Sequence, residues 1–152
     1  MQQQALMEFD AIWYMDSSVV FKKGNLSHVH DLINCRRTVT ASFIPTNFEE
    51  IKKEKAKMYE SGLTLVVKAK DTMEQILKWQ VLCGLEEDCM AGNHQENLIC
   101  RFGTNRYSEP PNCHRFDQSV LNVLVANTHW YDKHYYASEI VDFFAIERFS
   151  KK

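Results

Sequence analysis

The sequence lacks most of the short signatures that assign a protein quickly. Neither a G-x-x-x-x-G-K-S/T loop nor a G-x-G-x-x-G turn occurs among its 152 residues, which excludes a P-loop and a dinucleotide fingerprint. Neither serine of "DSS" (16–18) sits in a G-x-S-x-G elbow, so a serine-hydrolase arrangement is not expected. The six histidines (His28, His30, His94, His114, His129 and His134) form no H-x3-H or H-E-x2-H pair, and spacing reveals no metal site. No basic stripe with interleaved aromatics is present. The chain carries 18 basic and 20 acidic residues for a net charge of −2, and nucleic acid is not an expected partner. The one lysine-rich run, "IKKEKAKMYE" (51–60), is mixed with glutamates and reads as a solvated helix face. No apolar stretch is long enough to span a membrane, and "MQQQALMEFD" (1–10) is polar and helix-prone rather than signal-like.

What is present is an ordinary globular composition, 45% hydrophobic and 25% charged, long enough for one domain with a sizeable core. There are five cysteines: Cys35, Cys83, Cys89, Cys100 and Cys113. The last four are spaced C-x5-C, C-x10-C and C-x12-C, without the C-x2-C pair of a zinc knuckle. Disulfides are expected among them in an oxidising compartment, with Cys35 left as a buried thiol. "NLS" (25–27) is either a glycosylation sequon, pointing the same way, or a helix cap.

Along the chain, residues 2–8 predict a helical turn, 11–15 a buried strand and 19–21 its continuation, followed by a turn at 22–25. Helical spacing at 26–35, a β-branched run at 38–44 ended by Pro45, and a polar helix at 47–60 come next. Gly62 stops that helix, and 63–69 is a further strand. Asp71 caps a helix whose expected apolar stripe is Met73, Ile76, Leu77, Val81 and Leu85. Residues 86–114 show little periodicity and read as a long loop. Residues 116–127 form a clear helix with Val120, Leu121, Leu124 and Val125 on one side, and 136–149 is an apolar tail of undetermined type. Strands alternating with helices place the chain in the α/β class, with three or four strands visible and no repeat or linker.

Three places could carry chemistry. Asp16 interrupts an apolar run, and a carboxylate there is costly unless it is paired, caps a turn or binds a cation. With Ser18 beside it, Asp16 either satisfies a local turn or, at a strand end, helps hold a divalent cation on a diphosphate. Asp117 opens the second helix as a cap, or it joins Gln118 in presenting a carboxylate and an amide to a sugar hydroxyl. The triplet "EED" (86–88) is either exposed or a source of a general base.

Three segments, in order and spacing, resemble one group of proteins. "IWYMDSSVVF" (12–21) is similar to a "W-x-D-S/T-S" strand, "ILKWQVLCGLEEDCMA" (76–91) to a helix and loop with paired cysteines, and "CHRFDQSVLNVLVAN" (113–127) to a "C-H-R-Y/F-D-Q-S" helix. All three characterise largely uncharacterised glycosyltransferase-like proteins of the GT-A type, expanded in nematodes and found in other animals. The resemblance covers most of 11–127. It implies a Rossmann-like mixed sheet flanked by helices, and sugar transfer from a nucleotide-sugar donor to a hydroxyl on a glycan or protein acceptor. Asp16 and Ser18 stand where such enzymes carry a D-x-D motif, so the resemblance assigns them to the donor diphosphate. Asp16 would be the ligand of Mn²⁺ or Mg²⁺. Asp117 and Gln118 are assigned to the sugar site as catalytic residues. The resemblance also implies the secretory lumen or Golgi, membrane-anchored full-length relatives, and pairing among Cys83, Cys89, Cys100 and Cys113. In GT-A domains the elements that grip the nucleotide base precede the D-x-D strand. Residues 1–152 are therefore expected to be a single domain, the C-terminal part of such a fold. Two other readings are a non-catalytic lumenal binding protein that kept the fold, and a cytosolic thiol or zinc protein.

Overall fold

A computed structural model describes residues 2–25, 38–39, 59, 61–91, 101, 104, 115–137 and 143–147. The expected helix at 26–35, the greater part of the 47–60 helix, Cys35, Cys100, Cys113 and His114 lie outside them. Helix and strand are mixed, as the alternating pattern predicts.

Helix α1 (Gln2–Glu8) leads into β1 (Ala11–Met15) and β2 (Val19–Phe21). Strands β3 (Thr38–Val39) and β4 (Leu63–Val67) follow. Next comes a helix we call α2, a π-helical run Thr72–Leu77 that continues into the α-helix Lys78–Leu85. Helices α3 (Glu87–Ala91) and α4 (Asp117–Thr128), a 3₁₀ turn Lys133–Tyr135 and strand β5 (Phe144–Ile146) complete the order.

The strands form two sheets, β1-β4-β3 and β2-β5, and every described pair is antiparallel. The expected continuation of β1 into β2 is corrected here. Val19 donates its N–H to the Asp16 carbonyl at 3.0 Å, closing a turn that hands the chain from the first sheet to the second. β1 is also only half-buried, whereas β4, between two neighbours, is buried almost throughout.

β4 separates two cores by the period-2 rule. Leu63 and Leu65 face Phe143, with Trp13, Val19, Phe21 and Phe144 around them, so the two sheets share this apolar cluster. Val66 faces the other way, onto Leu6 of α1 and Leu77 of α2, with Ile12 and Met73 alongside. A third cluster joins α2 to α4 through Ile76, Leu121, Val125 and Ala126, closed by Tyr136 and Ala137.

The apolar stripe of α2 holds in its first half and fails in its second. Ile76 and Leu77 are buried, yet Val81 is 43% and Leu85 79% exposed, and Cys83 is buried instead. The cause is the π-helical segment, where Lys78 donates its N–H to the Met73 carbonyl, five residues back. The wider turn shifts the phase of every later side chain, and a 3.6-residue pattern projected across it points to the wrong face. Asp71 caps as expected, accepting from the Thr72 N–H at 3.0 Å.

Candidate functional site

Alternation along β1 places Ile12 and Tyr14 on the helix-facing side of the sheet, the side of Val66. The alternation carries one step past the strand, because Asp16 donates its N–H to the Gly62 carbonyl at 2.8 Å. Gly62 is the partner that admits the Asp16 side chain: a Cβ there would lie 3.2 Å from Asp16 Oδ2. Asp16 is exposed, and its carboxylate accepts no hydrogen bond from the described residues. The turn at 16–19 is thus closed by backbone alone, without the side-chain capping that a local-turn role for Asp16 requires.

Asp117 reaches the same place from the other side. It is the first residue of α4, but it does not cap the helix. The N-cap is Phe116, in a left-handed conformation (φ 48°, ψ −126°), and it makes no side-chain cap bond. Ser119 satisfies part of the helix start by accepting the Arg115 N–H at 2.7 Å. A bulky residue at positive φ costs about 1–3 kcal/mol, and such strain tends to collect at functional sites. Here it leaves Asp117 exposed, with its carboxylate unspent among the described residues.

Tyr14 and Asp117 line one cleft of about 280 Å³. Its other walls come from Gln2 and Gln3 of α1, from Leu77, Gln80 and Val81 of α2, and from Met90 of α3. The Tyr14 phenol is pushed above its ordinary value of 10.0, first by burial, then by the charge of Asp117 and then by that of Asp16. Both carboxylates therefore act on one hydroxyl, which stays protonated and able to donate a hydrogen bond. Asp16 reaches Tyr14 electrostatically but is not part of the cleft wall.

The other expected site residues lie elsewhere. Gln118 Nε2 donates to the Tyr59 carbonyl at 3.4 Å, so the amide ties α4 to residue 59 instead of facing the cleft. Ser18 accepts the Glu147 N–H on its carbonyl at 2.8 Å, which anchors the turn to the β5 side. In "EED", Glu86 ends α2 while Glu87 and Asp88 occupy the exposed first turn of α3, where the helix dipole favours them. None of the three lines the cleft; Met90 does.

Met90 is held there by covalent chemistry. Cys83 and Cys89 form a disulfide that joins buried Cys83 of α2 to α3. Residue 90 then packs near Gly84, where a Cβ would meet Met90 Cε at 3.6 Å. A five-residue helix leaves no periodicity to detect, so the sequence of this segment reads as loop.

Tyr14, Gln80 and Met90 escaped the sequence reading. For Tyr14 the signal was available: it stands two residues before Asp16, hence on the same face. Among the described residues no group of three or more His, Cys, Asp or Glu side chains could hold a metal ion. His129 is half-buried, stacked on Tyr135 and Tyr136, and burial lowers its pKa below 6.5 against the opposing charges of Asp71 and Asp132. Comparison with protein-family models, curated proteins and solved structures finds no match for this chain.

Proposed function

We propose that this chain is a glycosyltransferase-like protein of the GT-A type, acting in transfer of a sugar from a nucleotide-sugar donor to a hydroxyl acceptor. The observation that carries the reading is the convergence of Asp16 and Asp117 on Tyr14 beside a cleft. These two aspartates come from the segments whose sequences resemble that family, a hundred residues apart in the chain.

A hard divalent cation is the ion that a donor diphosphate beside Asp16 would take. Mg²⁺ is commonly bound by one or two carboxylates, with substrate phosphates completing its shell, so a cage of three protein ligands is not required. Asp16 would hold Mn²⁺ or Mg²⁺, and Ser18, whose carbonyl accepts the Glu147 N–H, would fix the turn that presents Asp16. The ion would supply the charge neutralisation that a diphosphate needs. None of the described cleft residues is cationic.

Asp117 serves as the acceptor-side group, taking the hydrogen bond, and then the proton, of the attacking hydroxyl. The neutral Tyr14 phenol donates a hydrogen bond to the sugar. Gln118 acts as a positioning residue through its bond to the Tyr59 carbonyl. The Cys83–Cys89 bond supports an oxidising compartment such as the Golgi or secretory lumen. No helix among the described residues is long and apolar enough to cross a membrane.

A second reading is a lumenal protein that binds a sugar nucleotide or glycan without turnover. It is favoured by Gln118 being engaged with Tyr59, which leaves Asp117 as the one of the two expected catalytic residues that lies on the described cleft wall. Titration with UDP- and GDP-sugars in the presence and absence of Mn²⁺, followed by a product assay, separates the two. Metal-dependent binding with turnover supports the transferase, binding without turnover the second reading. No metal-dependent binding at millimolar ligand removes the donor site.

A further inference from the structure

The chain leaves β2 under firm hold and then enters open space. Lys22 and Lys23 both donate their N–H groups to the Phe143 carbonyl, at 2.7 and 3.4 Å, which keeps the backbone on the β2-β5 sheet. Phe143 is itself buried against Leu63 and Leu65 of β4. Past Lys23 the crowding ends. A Cβ at Gly24 would meet nothing within 4 Å, and Asn25 is exposed.

Asn25 opens Asn25-Leu26-Ser27, the one N-x-S/T triplet in the chain, with a leucine and not a proline in the middle. Such triplets are modified in secreted proteins, on their surface. The Cys83–Cys89 bond points to the oxidising compartment through which those proteins pass. A helix-capping role for Asn25 does not compete with modification. A cap uses the side-chain oxygen as acceptor, whereas a glycan is attached at the side-chain nitrogen. One asparagine serves both ends.

We propose that Asn25 carries an N-linked oligosaccharide, on the side of the β1-β4-β3 sheet away from the cleft. The side follows from alternation along β4. Leu63 and Leu65 face β2 and β5, whereas Val66 faces α1 and α2, which wall the cleft. Attachment takes a lipid diphosphate-linked oligosaccharide and the transferring enzyme of the compartment. The Asn25 amide nitrogen bonds to the anomeric carbon as the bond from that carbon to the diphosphate oxygen breaks. The lipid diphosphate leaves with the electron pair, and the amide nitrogen gives up one proton. Nothing is oxidised or reduced. The proposal rests on the lumenal compartment of the proposed function and not on the chemistry of the cleft.

The test sends the full chain through the secretory route of insect cells behind a cleavable leader. The purified protein is treated in heavy-oxygen water with an amidase that removes N-linked glycans, and its peptides and thiols are read by mass spectrometry. The whole protein is expected to lose mass, and the peptide holding Asn25 to take up heavy oxygen. Ser27→Ala is expected to abolish both changes, and Ser27→Thr, which keeps the hydroxyl, to retain them. In labelled protein, removing the glycan is expected to move the signals of Lys23 and Gly24 and to leave those of the Tyr14 ring and the Met90 methyl in place. An unmodified Asn25 in the secreted protein overturns the proposal. So does a glycan that survives Ser27→Ala, or a shift at Tyr14 or Met90 when it is removed. The thiols keep the two failures apart. Unmodified Asn25 with the Cys83–Cys89 bond formed sinks this proposal alone, whereas unmodified Asn25 with both thiols free sinks the lumenal reading as well.

Discussion

Asp117, the first residue of α4, and Tyr14, on the helix-facing side of β1, line the same cleft, and the carboxylate's charge raises the phenol's pKa. Asp16 adds to that effect more weakly. The relationship gives an ordered expectation. Asp117→Asn lowers the Tyr14 pKa more than Asp16→Asn does, and burial keeps it above 10.0 in the double variant. Following the Tyr14 ring carbon signal through an alkaline titration checks the order. Equal responses would show that the two carboxylates do not sit as described.

Alkaline stability follows from the same sign. Tyr14 and Tyr136 both have folded-state pKa values raised above the ordinary 10.0, chiefly by burial. The stability they contribute is fully present below pH 10 and is lost as pH rises toward the folded values, because the unfolded chain ionises first. Urea midpoints are expected to fall steadily above pH 10, less steeply in Tyr136→Phe.

His129 acts at the other end of the scale. Burial holds its pKa below 6.5, so the unfolded chain takes the proton more readily. Its contribution is fully present above pH 6.5 and disappears as pH falls through the folded value. His129→Phe, which keeps a ring between Tyr135 and Tyr136, is expected to flatten the decline in Tm between pH 7 and pH 5 relative to wild type.

Removing the disulfide by Cys83→Ser with Cys89→Ser is expected to cost about 2 kcal/mol, the loop-closure value for so short a ring. Ile76→Ala, at 1% exposure in the α2–α4 core, is expected to cost about 2–5 kcal/mol. The two variants differ in kind. The disulfide variant frees α3 and changes the environment of Met90 at the cleft, which its methyl signal reads, whereas Ile76→Ala leaves that wall tethered.

The elements that were legible in the sequence are those whose signal is local. β4 is a β-branched and leucine run stopped on one side by Gly62, and α4 shows Leu121 and Val125 at helical spacing; both form as expected. What escaped depends on partners or on irregular geometry. Nothing local states that β2 abandons β1's sheet for β5, since that choice is made by Val19 and Phe21 packing with Phe143. Nothing local announces the π-helical run in α2, and the phase error it introduces misplaced Val81 and Leu85. At the candidate site, Asp16 and Asp117 were readable as carboxylates in awkward places. Tyr14, which links them, was not, because its role depends on two segments meeting. Gln118 looked equivalent to Asp117 in sequence, but a helix sends adjacent residues in different directions, and this one is engaged with Tyr59.

The central proposal is that Asp16, Tyr14 and Asp117 form one cation-dependent site, with Asp16 on the donor side and Asp117 on the acceptor side. Paramagnetic broadening tests it most directly. Mn²⁺ is added to the labelled protein with and without UDP, and signal loss is mapped along the chain. The account predicts UDP-enhanced broadening centred on residues 14–18, Gly62 and Asp117, abolished by Asp16→Asn. Broadening centred on Glu86, Glu87 and Asp88, or equal broadening in the Asp16 variant, would contradict it.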